Sequence, residues 1–258
     1  MAALRRGGTA GGSRLPDVRR KTKLLANVNF LLHRHLARTL HGSVIAGVGA
    51  MLPDLWRMAD RRVRTAPPEM ARELAGEADD VTHHVLLGIE HHLESDLWFH
   101  DAPVFLDGER ATREALKSAA TKAKKLTLFA HPLWEMCLDG ALVRRAGSAT
   151  AQREIAEGFA ISKRALRTAA HVHHFHHVTM SGVAEFEENL HAILDALSTG
   201  QWIAGYAAPE GLVRALTGMR RRFGLPPFAE DERARLVDAI ATLAPLADTA
   251  VDSILDRF

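Results

Sequence analysis

The segment Leu126 to Leu142, LTLFAHPLWEMCLDGAL, restricts the fold of this 258-residue chain more than any other stretch. It is too apolar for a solvated helix, yet His131, Glu135 and Asp139 sit within it. Spaced i, i+4 and i+8, these three stack along one helix face. Leu128, Leu138 and Leu142 lie beside that face, so it is expected to be buried. A buried carboxylate without a partner is costly, and such groups are paired or bound to a metal. Two readings stay open from these residues alone: a His–Glu–Asp hydrogen-bond ladder tying a bundle together, or one wall of a metal site.

Helical patterning continues along the chain. Ala, Leu, Arg and Glu recur, and β-branched runs with period-two alternation are absent. Helices are predicted near 23–41, 43–51, 68–75, 80–99, 110–125, 126–145, 150–170, 182–198, 209–223 and 229–256, with breaks at Pro53, Pro67, Pro68, Pro103, Gly108, Gly147, Gly182, Gly200, Pro226 and Pro227. The predicted fold class is all-α: one helical bundle domain over 23–258 with an internal His/Asp/Glu metal site, since bundles build such sites from inward side chains on facing helices. Residues 1–22 read as a disordered basic tail. Residues 1–23 carry a net charge of +6 while the whole chain is at +2, so the body is acidic at −4. That argues against a nucleic-acid-binding face on the domain and leaves the tail only weak contact with polyanions.

The tail has no apolar core of a secretory signal. The longest weakly polar run, Gly42 to Pro53, is far short of the ~20 residues a membrane span needs. Neither a membrane nor a specific nucleic acid is expected as a partner. The single cysteine, Cys137, excludes an internal disulfide and suits a reducing cytoplasm. Inside an apolar helix beside Met136, it reads as packing rather than a nucleophile.

Histidine is the outlier, at fifteen residues, and prompts a search for ligand clusters. His84, His91, His92, Asp96 and His100 crowd one predicted helix, and His84, Gly88, His92, Asp96 and His100 follow at intervals of four. Gly88 on that stripe admits another backbone or a ligand. An imidazole and a carboxylate one turn apart can reach one divalent ion, and the pair suits Zn, Mn or Fe. The competing reading is a solvated His-rich face. A third piece, NFLLHRHLA from Asn29 to Ala37, is followed by GAMLPDLW from Gly49 to Trp56. His33, among Phe30, Leu32, Leu36 and Ala37, is a satisfied core histidine or a ligand. Asp54 is an N-cap or a ligand carboxylate. The run His171 to His177 has no carboxylate with it and reads as a polar, titratable helix end or loop, with an accessory metal-binding or pH-sensitive segment as the competing reading.

In this order the segments resemble the acyl-carrier-protein phosphodiesterase family, whose members look like distant relatives of the HD-domain metal phosphohydrolases. The family's N-F-L-x-H-x-H-L-A opening is matched by Asn29 to Ala37, and its G-x-x-L-x-D stretch by Gly49, Leu52 and Asp54. Its G-I-x-x-H-x-x-x-D helix is matched by Gly88, Ile89, His92 and Asp96, with Pro103 in its expected place. Its W-[LI]-x-x-Y stretch and basic helix end look similar to Trp202, Ile203, Tyr206 and to Met219 through Arg222. The likeness covers roughly residues 27–223. It departs at the fourth motif, where two aspartates and a following histidine are replaced by His131, Glu135 and Met136, and where His100 stands in place of an acidic residue.

The resemblance implies a metal-dependent phosphodiester hydrolase that releases 4′-phosphopantetheine from a carrier-protein serine, with acyl carrier protein or another phosphodiester as substrate. It implies Asp54, His92, Asp96, His131 and Glu135 as metal ligands, with Mn the expected divalent ion and Fe, Mg or Zn as alternatives. Asp54, Asp139 and His33 are the candidate catalytic residues, the last two as base or as orienters fixing an imidazole tautomer. Five ligands exceed one tetrahedral site, so a six-coordinate ion and a pair of ions both fit. Arg34 and Arg57 are near enough in sequence to hold phosphate, or are ordinary surface arginines. Two other functions stay compatible with these residues. One is a helical di-iron oxidase or oxygenase, which also sets His and carboxylates on facing helices. The other is a non-catalytic binding module whose degenerate metal site is a structural clamp. Oligomeric state has no readable signal.

Overall fold

The computed structural model describes residues 30–60, 79–119, 123, 125–174, 180–199 and 203–256. Among these residues the chain is all-helical, with no strand. The elements are α1 (Phe30–His41), α2 (Val44–Gly49), α3 (Leu52–Ala59), α4 (Asp80–Phe99), α5 (Pro103–Ser118), α6 (Ala130–Ala146), α7 (Ser148–His174), α8 (Met180–Thr199), α9 (Pro209–Arg222), α10 (Glu230–Ala241) and α11 (Ala244–Leu255). Short 3-10 turns occupy Leu126–Phe129 and Ala204–Ala207. No helix among the described residues is long and apolar enough to cross a membrane. The predicted tail, the predicted helix near 68–75, Asn29, Trp202, His176 and His177 lie outside the described residues, as do the side chains of His171, His173 and His174.

The helix α6 is the axis of the bundle. Every residue from Pro132 to Val143 is buried, and α1, α5, α7, α11 and the turn at Ala204–Ala207 pack around it. A helix enclosed on all sides has no polar face to show, which is why its apolar residues run all round. Leu138 and Leu142 are buried as expected, whereas Leu128 is exposed in the preceding 3-10 turn.

On the neighbouring side, α2 lies on α4 at backbone distance. A Cβ on Gly49 would stand 2.2 Å from the Val85 carbonyl oxygen, and one on Gly88 would stand 2.0 Å from that of Ala46. Only glycine permits this approach, so the reading of Gly88 resolves to a backbone neighbour. Ser43 caps α2 by accepting from the Ala46 N–H, and Asp79 caps α4 by accepting from that of Thr82.

Several boundaries differ from expectation: α3 has no predicted counterpart, and the helix predicted over 110–125 is α5, Pro103–Ser118. Gly108 and Gly182 lie inside α5 and α8 rather than breaking the chain. At Gly108 packing is the reason, because a Cβ there would fall 2.0 Å from the Trp134 ring. The helix predicted over 229–256 is two, turning at Thr242 and Leu243. Pro245, in the first turn of α11, has no N–H to continue α10.

Candidate metal centre

Four helices deliver imidazoles and carboxylates to one region. His33 comes from α1, Asp54 from the first turn of α3, and His92 and Asp96 from α4, with His100 as that helix's C-cap. His131 and Glu135 come from α6. The side chains form two groups whose ligand atoms lie within 4.8 Å of one another: His33, His92 and Asp96, and His100, His131 and Glu135. In the first, His33 Nε2 is 3.3 Å from Asp96 Oδ1, and His92 Nε2 is 3.5 Å from Asp96 Oδ2 and 4.0 Å from Asp54 Oδ1. In the second, the Nε2 atoms of His100 and His131 each stand 3.2 Å from the same oxygen, Glu135 Oε1. Asp96 joins the groups, since its Oδ1 is also 3.8 Å from His100 Nε2.

Hydrogen bonds on the far side of each ring fix which nitrogen faces the cluster. His92 Nδ1 is 2.7 Å from the Ala50 carbonyl oxygen, which can only accept, so Nδ1 carries the proton. This contact exists because α2 and α4 meet at Gly49 and Gly88. His131 Nδ1 is 3.2 Å from Glu109 Oε2 and donates to it. The Ser95 hydroxyl donates to the His92 carbonyl oxygen at 3.0 Å and leaves its oxygen to accept from His33 Nδ1, also at 3.0 Å. All three rings thereby turn Nε2 inward.

Burial lowers the pKa of His33 to about 4, assisted by the charge of His92. A neutral His33 protonated on Nδ1 directs a bare lone pair at Asp96 Oδ1, and that oxygen has no hydrogen bond. In that tautomer the pair are two acceptors 3.3 Å apart, and only a proton on Nε2 or a cation can join them. Burial opposes charging of His92, but Asp96 and Asp54 carry it up to about 9. Burial likewise opposes His131, and Glu135 and Glu109 carry it up to about 10. Burial alone would raise Glu135, yet His131 and His100 bring it down to about 2. Without an ion, the cluster therefore gathers protons where positive charge is wanted.

The donor spacing agrees with coordination. For bonds of about 2.1 Å, two ligands of one ion stand about 3.0 Å apart in an octahedron and about 3.4 Å in a tetrahedron. The 3.2 to 3.5 Å separations within both groups fall in or next to this range. Mixed imidazole and carboxylate donors suit Zn, Mn and Fe. Either group could hold a divalent ion.

No family model, no curated protein and no solved structure matches this chain. The centre has to be understood from its own geometry.

His92, Asp96, His131 and Glu135 meet at the centre, and His33 joins them. Asp54 is inside α3 and is no N-cap. It is buried beside His92, with Oδ2 lacking a hydrogen bond. Burial lifts its carboxyl to about 7, against the charge of His92. Asp139 has a different position. Its two oxygens accept from the backbone N–H groups of Phe30 at 2.9 Å and of Leu31 and Leu32 at 3.0 Å, so it caps α1 from α6. With all three donors on the backbone, it is no general base at the centre. Arg34 is buried and bonded to Glu154 on α7 at 2.8 Å, which withdraws it from any phosphate. Burial raises the Cys137 thiol to about 12, which leaves it unreactive packing.

Three participants escaped the sequence reading: His100 as a ligand, Glu109 and Ser95. His100 stands one turn after Asp96, and that spacing alone could have nominated it. Glu109 falls outside the helix predicted over 110–125 because Gly108, taken alone, reads as a break.

Proposed function

We propose that this chain is a divalent-metal-dependent phosphodiester hydrolase of the acyl-carrier-protein phosphodiesterase kind. Its substrate would be 4′-phosphopantetheine esterified to a carrier-protein serine, or another phosphodiester. The main support is the convergence of His33, His92 and Asp96, whose ligand atoms lie within 4.8 Å of one another, within the segments that resemble that family. A purely structural clamp would give each buried carboxylate oxygen a donor. Here Asp54 Oδ2 and Asp96 Oδ1 have none. The Asp96 side chain is also 25% exposed, so one edge of the centre borders solvent.

His33, His92 and Asp96 would hold the ion. When bound, a divalent ion supplies positive charge to phosphoryl oxygens and eases ionisation of a water. Ala50 and Ser95 keep the two imidazoles in the tautomer that binds. Asp54, lifted to about 7 by burial, is half ionised near neutral pH and can take the proton of an attacking water. The water oxygen forms the new bond to phosphorus, the bond to the serine oxygen breaks, and that oxygen is reprotonated from solvent.

The test is turnover by the full chain, stripped of metal and reloaded with Mn, Mg, Fe or Zn, on phosphopantetheinylated acyl carrier protein and on an aryl phosphodiester. Metal-dependent cleavage is expected, with D54N slowing it by about 10²- to 10⁴-fold. Stoichiometric metal with no cleavage of either substrate under any of the four ions overturns the proposal. An iron-loaded protein with oxo-bridge absorption and oxygen consumption would assign the oxidase reading instead.

A further inference from the structure

We propose that His100, His131 and Glu135 take a second divalent cation at the same time as the first group takes its own, and that this second ion is the more readily exchanged of the two. The inference rests on the hydrolase reading for its purpose and on separate residues for its evidence. Glu135 is completely buried, and both imidazole nitrogens approach one of its oxygens at 3.2 Å. The His100 and His131 rings lie 4.9 Å apart, centre to centre. One dication can accept both Nε2 lone pairs and the shared carboxylate oxygen together.

Two further observations identify the triad as a built site. Glu109 holds His131 through Nδ1, the carboxylate–histidine arrangement that orients metal-binding imidazoles. Arg113 in turn bonds Glu109 and fixes it in place. Two imidazoles and one glutamate form the three-ligand set of metal-dependent hydrolases that leave a position open for substrate.

Accessibility separates the two groups. The side chains of His33 and His92 are 3% and 2% exposed, and those of His100 and His131 are 23% and 28% exposed. The imidazoles of the second group therefore lie toward solvent and those of the first are enclosed, while Asp96 at 25% and Glu135 at 0% complete the two sets. Asp96 touches His33, His92 and His100, so the two positions share a neighbour. Paired ions sharing a carboxylate suit a phosphodiester, because two dications can face the two oxygens exchanged at phosphorus.

The experiment is metal content by elemental analysis of the full chain dialysed against Mn or Zn, followed by removal of metal by a chelator over time. Two equivalents are expected, leaving in two phases. H131A and H100A should each retain one equivalent and lose the fast phase, and H92A should lose the slow one. E109Q, which leaves the ligands in place, should weaken the fast-exchanging ion by about 10- to 100-fold. Circular dichroism and melting temperature establish that the variants are folded, and if H92A does not fold, E109Q with H131A decides. One equivalent in the unaltered chain that persists in H131A overturns the second site and leaves the hydrolase reading standing. Two equivalents without phosphodiester cleavage overturn the hydrolase reading and leave the second site standing. No bound metal overturns both.

Discussion

Replacing Asp139 separates architecture from chemistry. Its carboxylate, wholly buried on α6, receives the first three N–H groups of α1 at 2.9 to 3.0 Å. The start of a helix leaves such donors without intrahelical partners, and a side-chain acceptor there contributes about 0.5–2 kcal/mol. This cap comes from a distant helix into a dry interior, so its loss is more severe. Each buried donor left unsatisfied costs about 1–3 kcal/mol. D139A orphans three of them, and partial entry of water makes about 3–6 kcal/mol the expected loss. D139N has an amide oxygen that can serve two donors, but its own NH₂ finds none of the acceptors it needs, so about 2–4 kcal/mol is expected. For a chain of this size each kcal/mol moves the melting temperature by about 2–4 °C. D139A should therefore melt about 6–24 °C below the unaltered protein, with D139N between them. Urea unfolding followed by circular dichroism, with a calorimetric scan, measures both. Unchanged stability in both variants together with abolished turnover would refute the cap and restore Asp139 as a chemical participant.

The other predictions bear on the same framework. G88A places a methyl group where the Ala46 carbonyl oxygen now lies, 2.0 Å from the ideal Cβ. It should push α4 off α2, lower stability by about 1–3 kcal/mol and weaken metal binding through the lost His92–Ala50 bond, which calorimetric metal titration would detect. In metal-free protein the folded state keeps protons on His92 up to about 9 and on His131 up to about 10. Both exceed the ordinary value of 6.5, so their contribution to stability is complete below about pH 6.5 and is lost as pH rises through 9 to 10. Melting temperature should fall across that window in chelator and much less with metal, which takes the place of the protons. A metal-free melting temperature that is flat or rising from pH 7 to 10 would contradict the charge balance described for the centre.

Fold class was legible because it depends on local pattern. The absence of strand alternation and the recurrence of Ala, Leu, Arg and Glu are read within a few residues. Errors arose where a tertiary neighbour overrides a local rule. Gly108 is a breaker in isolation, but inside α5 it makes room for Trp134, a residue of α6. Mistaking it for a break also removed Glu109 from the helix that aims it at His131.

Residue intervals nominate ligands but do not assign them. A step of four residues advances about 40° beyond a full helical turn, so a stripe at that spacing winds around the helix. From Asp96, one step either way reaches His92 and His100, both at the centre. Two steps further back, His84 has turned about 120° from Asp96 and bonds its own helix at the Asp80 carbonyl, 2.8 Å away. The same winding divides α6, where Glu135 faces the imidazoles and Asp139, one step on, faces the end of α1. Both are acidic, both are fully buried, and both belong to one apolar helix. What distinguishes them is the opposing group: imidazole nitrogens for one, and backbone donors 107 to 109 residues away in sequence for the other. Spacing along α6 therefore marks two carboxylates that need partners, and only what α1 and the His100 cap of α4 bring to it decides which one can hold a cation.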